Sequence, residues 1–225
     1  MNTVVFLHGW CGSPEIWDAQ VAALSGQYRT LAPQLPHSVT TVDGFADWVA
    51  GLIENSAVIC GHSMGGVIAA RVAARHPERV AGIVTVDAPN FRLPIHPEIA
   101  ARVQAFARPD KIGHSARHAF IESLFGPATP QSIKERIHAM AAREDPGYAA
   151  ATWKGLIDPE LWTGEMITPL PACVILAAGR KIDDAAIRRL YPQSQVHRVE
   201  GSHFLMMECP GEVNRILGSF LEQIR

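Results

Sequence analysis

AVICGHSMGG occupies positions 57–66 of the chain. A run of strand-forming residues leads into a serine, Ser63, set among Gly61, Gly65 and Gly66, and a helical segment, VIAARVAARHPERV, follows at once. Glycines on both sides of a strand-to-helix corner imply a backbone bent too sharply for neighbouring side chains. Gly61-His62-Ser63-Met64-Gly65 has the spacing G-x-S-x-G, which gains chemical meaning only in this strand–turn–helix setting. The turn lifts the Ser63 hydroxyl above a sheet at a helix N-terminus, where the dipole favours developing negative charge. Ser63 is the candidate nucleophile; a tight turn carrying an incidental serine is the plain alternative.

Outward from this corner, short apolar runs alternate with amphipathic segments, which is the pattern of a parallel α/β sheet. TVVFLH (3–8), RTLAP (29–33), AVICG (57–61), AGIVTVD (81–87), ACVILAA (172–178) and QVHRV (195–199) read as six strands. Helices are expected over SPEIWDAQVAAL, with Ser13 as N-cap and Pro14 in the first turn, and over 41–55, 64–76, the AAIRRLY segment and 210–224. Between the fourth and fifth strands lie about 84 residues without strand pattern, too long for a plain crossover. HPEIAARVQAFA, ARHAFIESLF and PQSIKERIHAMAARE have helical spacing there. The expectation is one structural domain with an insertion: residues 1–89 and 172–225 as the core, and 90–171 as a helical lid over the carboxyl ends of the strands.

Composition narrows the function classes. Of 225 residues 48% are apolar and 19% charged, with a net charge of −2, so there is no electrostatic footprint for nucleic acid or an anionic membrane. No apolar run is long enough to span a bilayer, and strand-like sequence from residue 3 leaves no visible leader. Cys11, Cys60, Cys173 and Cys209 are far apart and lack zinc spacing, which suits reduced thiols in the cytoplasm. The lid histidines His96, His114, His118 and His138 show no metal-ligand pairing in the sequence, and no metal site is expected.

A serine hydroxyl needs a base. His203, in GSHF just past the sixth strand, arises from the same sheet edge as Ser63 and could take the serine proton and return it to the leaving group. His62 sits inside the corner and should point away. LHGW (7–10) ends the first strand, so the N–H of Trp10 can join that of Met64 in holding an oxyanion; His8 is read as a brace for that loop.

In LHGW, GHSMGG, VDAP and GSHF, taken in order along nearly the whole chain, the sequence resembles the α/β-hydrolases of the small lidded serine-esterase type. The resemblance implies a Ser–His–acid triad, no metal and usually no cofactor; its motifs are much less specific for the substrate, for which a small-molecule ester is the expectation. Relatives of this type usually carry two strands before the HG loop. Here that loop comes within ten residues, so a smaller, wholly parallel sheet of order 2-1-3-4-5-6 is expected, with Ser63 and Trp10 beside the switch point. The acid departs too. Most relatives place it three residues past a glycine after the penultimate strand, where this chain has Ile182 in AAGRKIDD. Asp183, one residue later, reads equally as a helix N-cap. Asp87, at the end of the strand after the nucleophile helix, is the preferred acid and Asp183 the runner-up.

Phe91, Phe120, Phe125, Trp153 and Trp162 are candidates to line an apolar substrate pocket under the lid, with Phe106 beside them. The leading reading is hydrolysis of a small or medium carboxylic ester through an acyl-enzyme. A cofactor-free lyase, a thioesterase or C–C hydrolase, and a non-catalytic ligand receptor remain open on the same scaffold.

Overall fold

The computed structural model describes residues 2–88, 104–162 and 168–224, with only the backbone of Pro159 and Trp162. Six parallel strands form one sheet in the order β2-β1-β3-β4-β5-β6: β1 Thr3–Leu7, β2 Arg29–Leu31, β3 Ala57–His62, β4 Val80–Val86, β5 Ala172–Ala177 and β6 Ser194–Val199. This is the expected order. β1, β3, β4 and β5 are apolar almost throughout because helices cover both their faces, so there is no solvent side to alternate with.

The flanking helices are α1 Asp18–Leu24, α2 Val42–Leu52, α3 Met64–Arg75, α7 Asp184–Leu190, α8 Leu205–Glu208 and α9 Pro210–Gln223. Between β4 and β5 lie α4 Lys111–Glu122, α5 Gln131–Arg143 and α6 Pro146–Leu156. Capping follows sequence in most places: Thr41 accepts from the Gly44 N–H and starts α2, and Asp110 accepts from Ile112 and Gly113 at α4. Ser13 is the exception. The segment after it begins as a 3-10 turn over Pro14–Trp17, and its buried hydroxyl caps nothing, so the α-helix starts only at Asp18.

Two apolar layers sandwich the sheet. One gathers Phe6, Trp17, Val84, Ile175, Leu217 and Phe220, and the other Leu7, Phe45, Ile59, Ile68, Val174 and Tyr191. Burial of each large apolar side chain is worth roughly 1.5–3 kcal/mol, so the two layers fix the sheet against which the loops at its carboxyl edge are held. Among the described residues no helix is long and apolar enough to cross a membrane.

Candidate active site

Among the described residues three non-glycine residues have positive φ, and all three follow strands at the carboxyl edge: Cys11 (φ 53°) beyond β1, Ser63 (φ 53°) after β3 and Asp87 (φ 42°) after β4. Left-handed backbone is unfavourable for residues with a Cβ and persists where surrounding contacts enforce it. The Ser63 N–H donates to the Val86 carbonyl at 3.0 Å and the Asp87 N–H to the Ile175 carbonyl at 2.8 Å, so each bend is pinned to the next strand. The Ser63 corner also depends on missing side chains. A Cβ on Gly61 would lie 2.1 Å from the Gly65 carbonyl oxygen, and one on Gly65 would lie 2.3 Å from the Leu7 oxygen.

The first β-strand brings its loop against the serine: a Cβ built on Gly9 would stand 3.1 Å from Ser63 Cβ. No backbone acceptor among the described residues takes the N–H of Trp10 or of Met64. His8 braces this loop. Its Nε2 accepts from the Leu35 N–H at 3.2 Å, which leaves Nδ1 protonated and donating to the Gly9 carbonyl at 2.9 Å. Burial pushes the His8 pKa down to about 4, so the ring stays neutral in this role.

His203 follows β6 in the expected place. Its Nδ1–H donates to Asp87 Oδ2 at 2.6 Å, which fixes the tautomer and leaves Nε2 as the free basic nitrogen. Ser63 and His203 share the edge without being hydrogen-bonded to each other. The backbone around His203 is held from three sides. His62 Nε2 donates to the His203 carbonyl at 2.9 Å, the His203 N–H donates to the Leu124 carbonyl at 3.3 Å, and Glu208 Oε2 accepts from the Ser202 N–H at 2.6 Å. His62 therefore does not point away from the site, as expected, but packs its ring 4.5 Å from that of His203. Full burial holds its pKa well below the ordinary value, so it supports the loop as a neutral ring.

Asp87 is almost completely buried, at 1% exposure. Burial alone would raise its pKa, but hydrogen bonds from His203 and Arg180 outweigh it and hold the carboxyl well below the carboxylate range. The Ala177 N–H adds a third donor at 3.2 Å. Asp183, the runner-up acid, is exposed and caps α7 by accepting from the Ala185 N–H at 3.0 Å. The residue that the sequence reading passed over is Arg180. Its guanidinium forks onto both Asp87 oxygens, with Nε at 3.0 Å from each and Nη2 at 2.6 Å from Oδ2. Nothing in AAGRKIDD marks it, because its partner lies 93 residues away.

The insertion meets the site through aromatics. The Trp10 ring packs 4.9 Å from Phe106, 5.6 Å from Phe120 and 5.0 Å from Trp153, and its indole N–H donates to the Ala149 carbonyl on α6 at 2.6 Å. Phe125 packs instead on Phe204, the neighbour of His203, at 5.3 Å. Phe91 and the Trp162 side chain lie outside the described residues. Cys11 is buried and its thiol pKa is pushed well up, which makes it a poor nucleophile.

One grouping on the insertion could be considered for a cation: His118, Glu122 and His138 bring ligand atoms within 4.8 Å of one another, a pairing that the sequence did not reveal. His138 already donates to Glu122 at 2.9 Å, and Lys134 Nζ is 3.4 Å from the same carboxylate. The two imidazoles stack nearly parallel with ring centroids 3.9 Å apart, so both would have to turn before aiming lone pairs at one ion.

A left-handed serine at a strand–helix corner, with a buried Asp–His pair on the same edge of a six-stranded parallel sheet, defines an α/β hydrolase. Residues 4–216 match the alpha/beta hydrolase family, and the chain belongs to it. A pimeloyl-[acyl-carrier protein] methyl ester esterase of Aromatoleum aromaticum is 36% identical over 89 residues, a stretch spanning 37% of this chain and only 36% of that relative. The esterase of the same name from Aeromonas hydrophila subsp. hydrophila is 26% identical across 97% of this chain and 94% of its own. Among solved structures, a thermophilic esterase from Thermogutta terrifontis matches with a TM-score of 0.84 at 24% identity, covering 100% of this chain and 90% of that one. The enol-lactonase from Burkholderia xenovorans LB400 matches with a TM-score of 0.80 at 21% identity, over 98% and 91% of the two chains. At such identities the structural likeness speaks for the fold.

Proposed function

We propose that this hydrolase cleaves a small or medium carboxylic ester through an acyl-enzyme on Ser63. The observation that carries the reading is the 2.6 Å bond from His203 Nδ1 to the buried Asp87 carboxylate, behind a serine held at φ 53°. In the proposed cycle Ser63 Oγ attacks the ester carbonyl while its proton passes to His203 Nε2. The N–H groups of Trp10 and Met64 hold the oxyanion, and Asp87 stabilises the imidazolium that forms. Collapse of the tetrahedral species breaks the C–O bond, and His203 returns the proton to the departing alcohol. Water then repeats the sequence on the acyl-enzyme and releases the acid.

Residues 90–171 act as a lid in this reading, with Phe106, Trp153 and Phe120 packed on Trp10 of the oxyanion loop and Phe125 beside the base. The names of the relatives make a methyl ester the first substrate to try, including pimeloyl-[acyl-carrier protein] methyl ester. A fluorophosphonate should label Ser63, read by mass spectrometry of the adduct. Ser63→Ala and His203→Ala should each cost on the order of 10⁴–10⁶ in kcat, with the double variant scarcely worse than either, because the two act as a unit. An adduct on another residue, or losses that add, would remove the reading.

A further inference from the structure

We propose that Arg180 is a positioning residue that sets the proton affinity of His203 by sharing the Asp87 carboxylate with it. The inference rests on the assignment of Ser63, His203 and Asp87 as a triad, and deepens it. Asp87 Oδ2 accepts from His203 Nδ1–H at 2.6 Å and from Arg180 twice, from Nη2 at 2.6 Å and from Nε at 3.0 Å. The oxygen that draws on the imidazole is thus already neutralised by a permanent cation. Nη2 also lies 3.3 Å from Nδ1, and since that nitrogen bears a proton for Asp87, the contact is cation against N–H and not a hydrogen bond.

The charge count shows the effect. In a bare Asp–His pair an imidazolium forms beside one uncompensated negative charge, which raises the basicity of the ring. Here it forms beside a carboxylate and a guanidinium, whose charges sum to zero. Arg180 therefore opposes protonation of His203 and keeps the ring available as a base at lower pH. It also fixes the carboxylate, because a bidentate fork restrains both oxygens where a single bond restrains one. Among the described residues the charged and titratable groups around the ring are few. His62 comes from the end of β3 and is held neutral by burial, Asp87 follows β4, and Arg180 follows β5. Glu208 of α8 holds the Ser202 N–H, and from the insertion Thr129 donates to Glu208 at 2.7 Å. None of these replaces the cation that Arg180 supplies. The Arg180 side chain is 45% exposed, so water screens part of its field, and its removal is not the loss of a core residue.

The test compares the wild type with Arg180→Met and Arg180→Lys. The readouts are the pH dependence of kcat/KM on an activated acetyl ester and the pH titration of the His203 ring by NMR. Arg180→Met should move the acid limb of the profile and the ring midpoint upward by about one pH unit, with KM nearly unchanged. Arg180→Lys keeps the charge without the fork, so its midpoint should stay near that of the wild type while kcat falls. A merely structural clamp would lower activity at every pH and move neither midpoint, and that result would overturn the proposal. If Arg180→Met does not fold, Arg180→Gln carries the same expectation. The two claims separate cleanly: a wild type that hydrolyses no ester and takes no label at Ser63 sinks the esterase reading. The NMR titration still decides what Arg180 does to His203.

Discussion

Asp87 concentrates the consequences that belong to single residues. It has three donors, left-handed backbone and almost no solvent. If it orients His203, Asp87→Asn should cost roughly 10³–10⁴ in kcat through loss of the correct tautomer. Asp183→Asn should leave kcat nearly intact and cost at most about 1 kcal/mol as a helix cap. Steady-state kinetics on one ester decides between them, and the reverse ranking would return the acid to the loop after β5. His8 gives a different residue-scale expectation. Its folded pKa of about 4 lies below the unfolded value of 6.5, so between those values the unfolded chain binds more protons. Stability should rise with pH across that window and fall on acidification, by about 3 kcal/mol in the limit. The melting temperature of His8→Asn should therefore depend less on pH between 6.5 and 4 than that of the wild type. Equal slopes would mean that the His8 ring is not what acid attacks.

At the level of elements, the strands and the corner were legible because their signals are local. The four central strands are short apolar runs, β1, β3 and β4 lead into the LHGW, GHSMGG and VDAP motifs, and Gly61 and Gly65 announce the close approach that the structure shows. Packing between distant segments was not legible. Arg180 meets Asp87 and His118 meets His138 only after helices and loops have docked, and no periodicity encodes such meetings. His62 was misjudged for the same reason: its direction depends on where the loop after β6 returns, 141 residues later. Among the insertion aromatics, Phe106 and Trp153 are buried, whereas Phe120 is only partly so and reaches Trp10 edge-on. Phe120→Ala is thus the cleanest probe of a substrate-selecting lid. It should shift preference among acyl chain lengths while changing turnover of an acetyl ester less. A uniform loss on all esters would assign the aromatics to support of the fold.

Across the whole molecule, the sheet order places the reversal of strand order between β1 and β3, the position at which open parallel α/β sheets take their ligands. Ser63 and Trp10 stand on its two sides, an arrangement that follows from topology and was readable once six parallel strands had been recognised. The acid could be read only as a choice, because the end of β4 and the loop after β5 approach one another above β5 and either can reach a histidine after β6. Trp10 carries a consequence that involves both halves of the chain. Its amide belongs to the proposed oxyanion hole, while its indole is bonded to the Ala149 carbonyl and surrounded by Phe106, Phe120 and Trp153. The insertion cannot swing away without either breaking that bond or dragging the hole out of register. If the insertion is the proposed lid, exposing Ser63 to bulk water therefore costs either that hydrogen bond or the alignment of the proposed oxyanion hole.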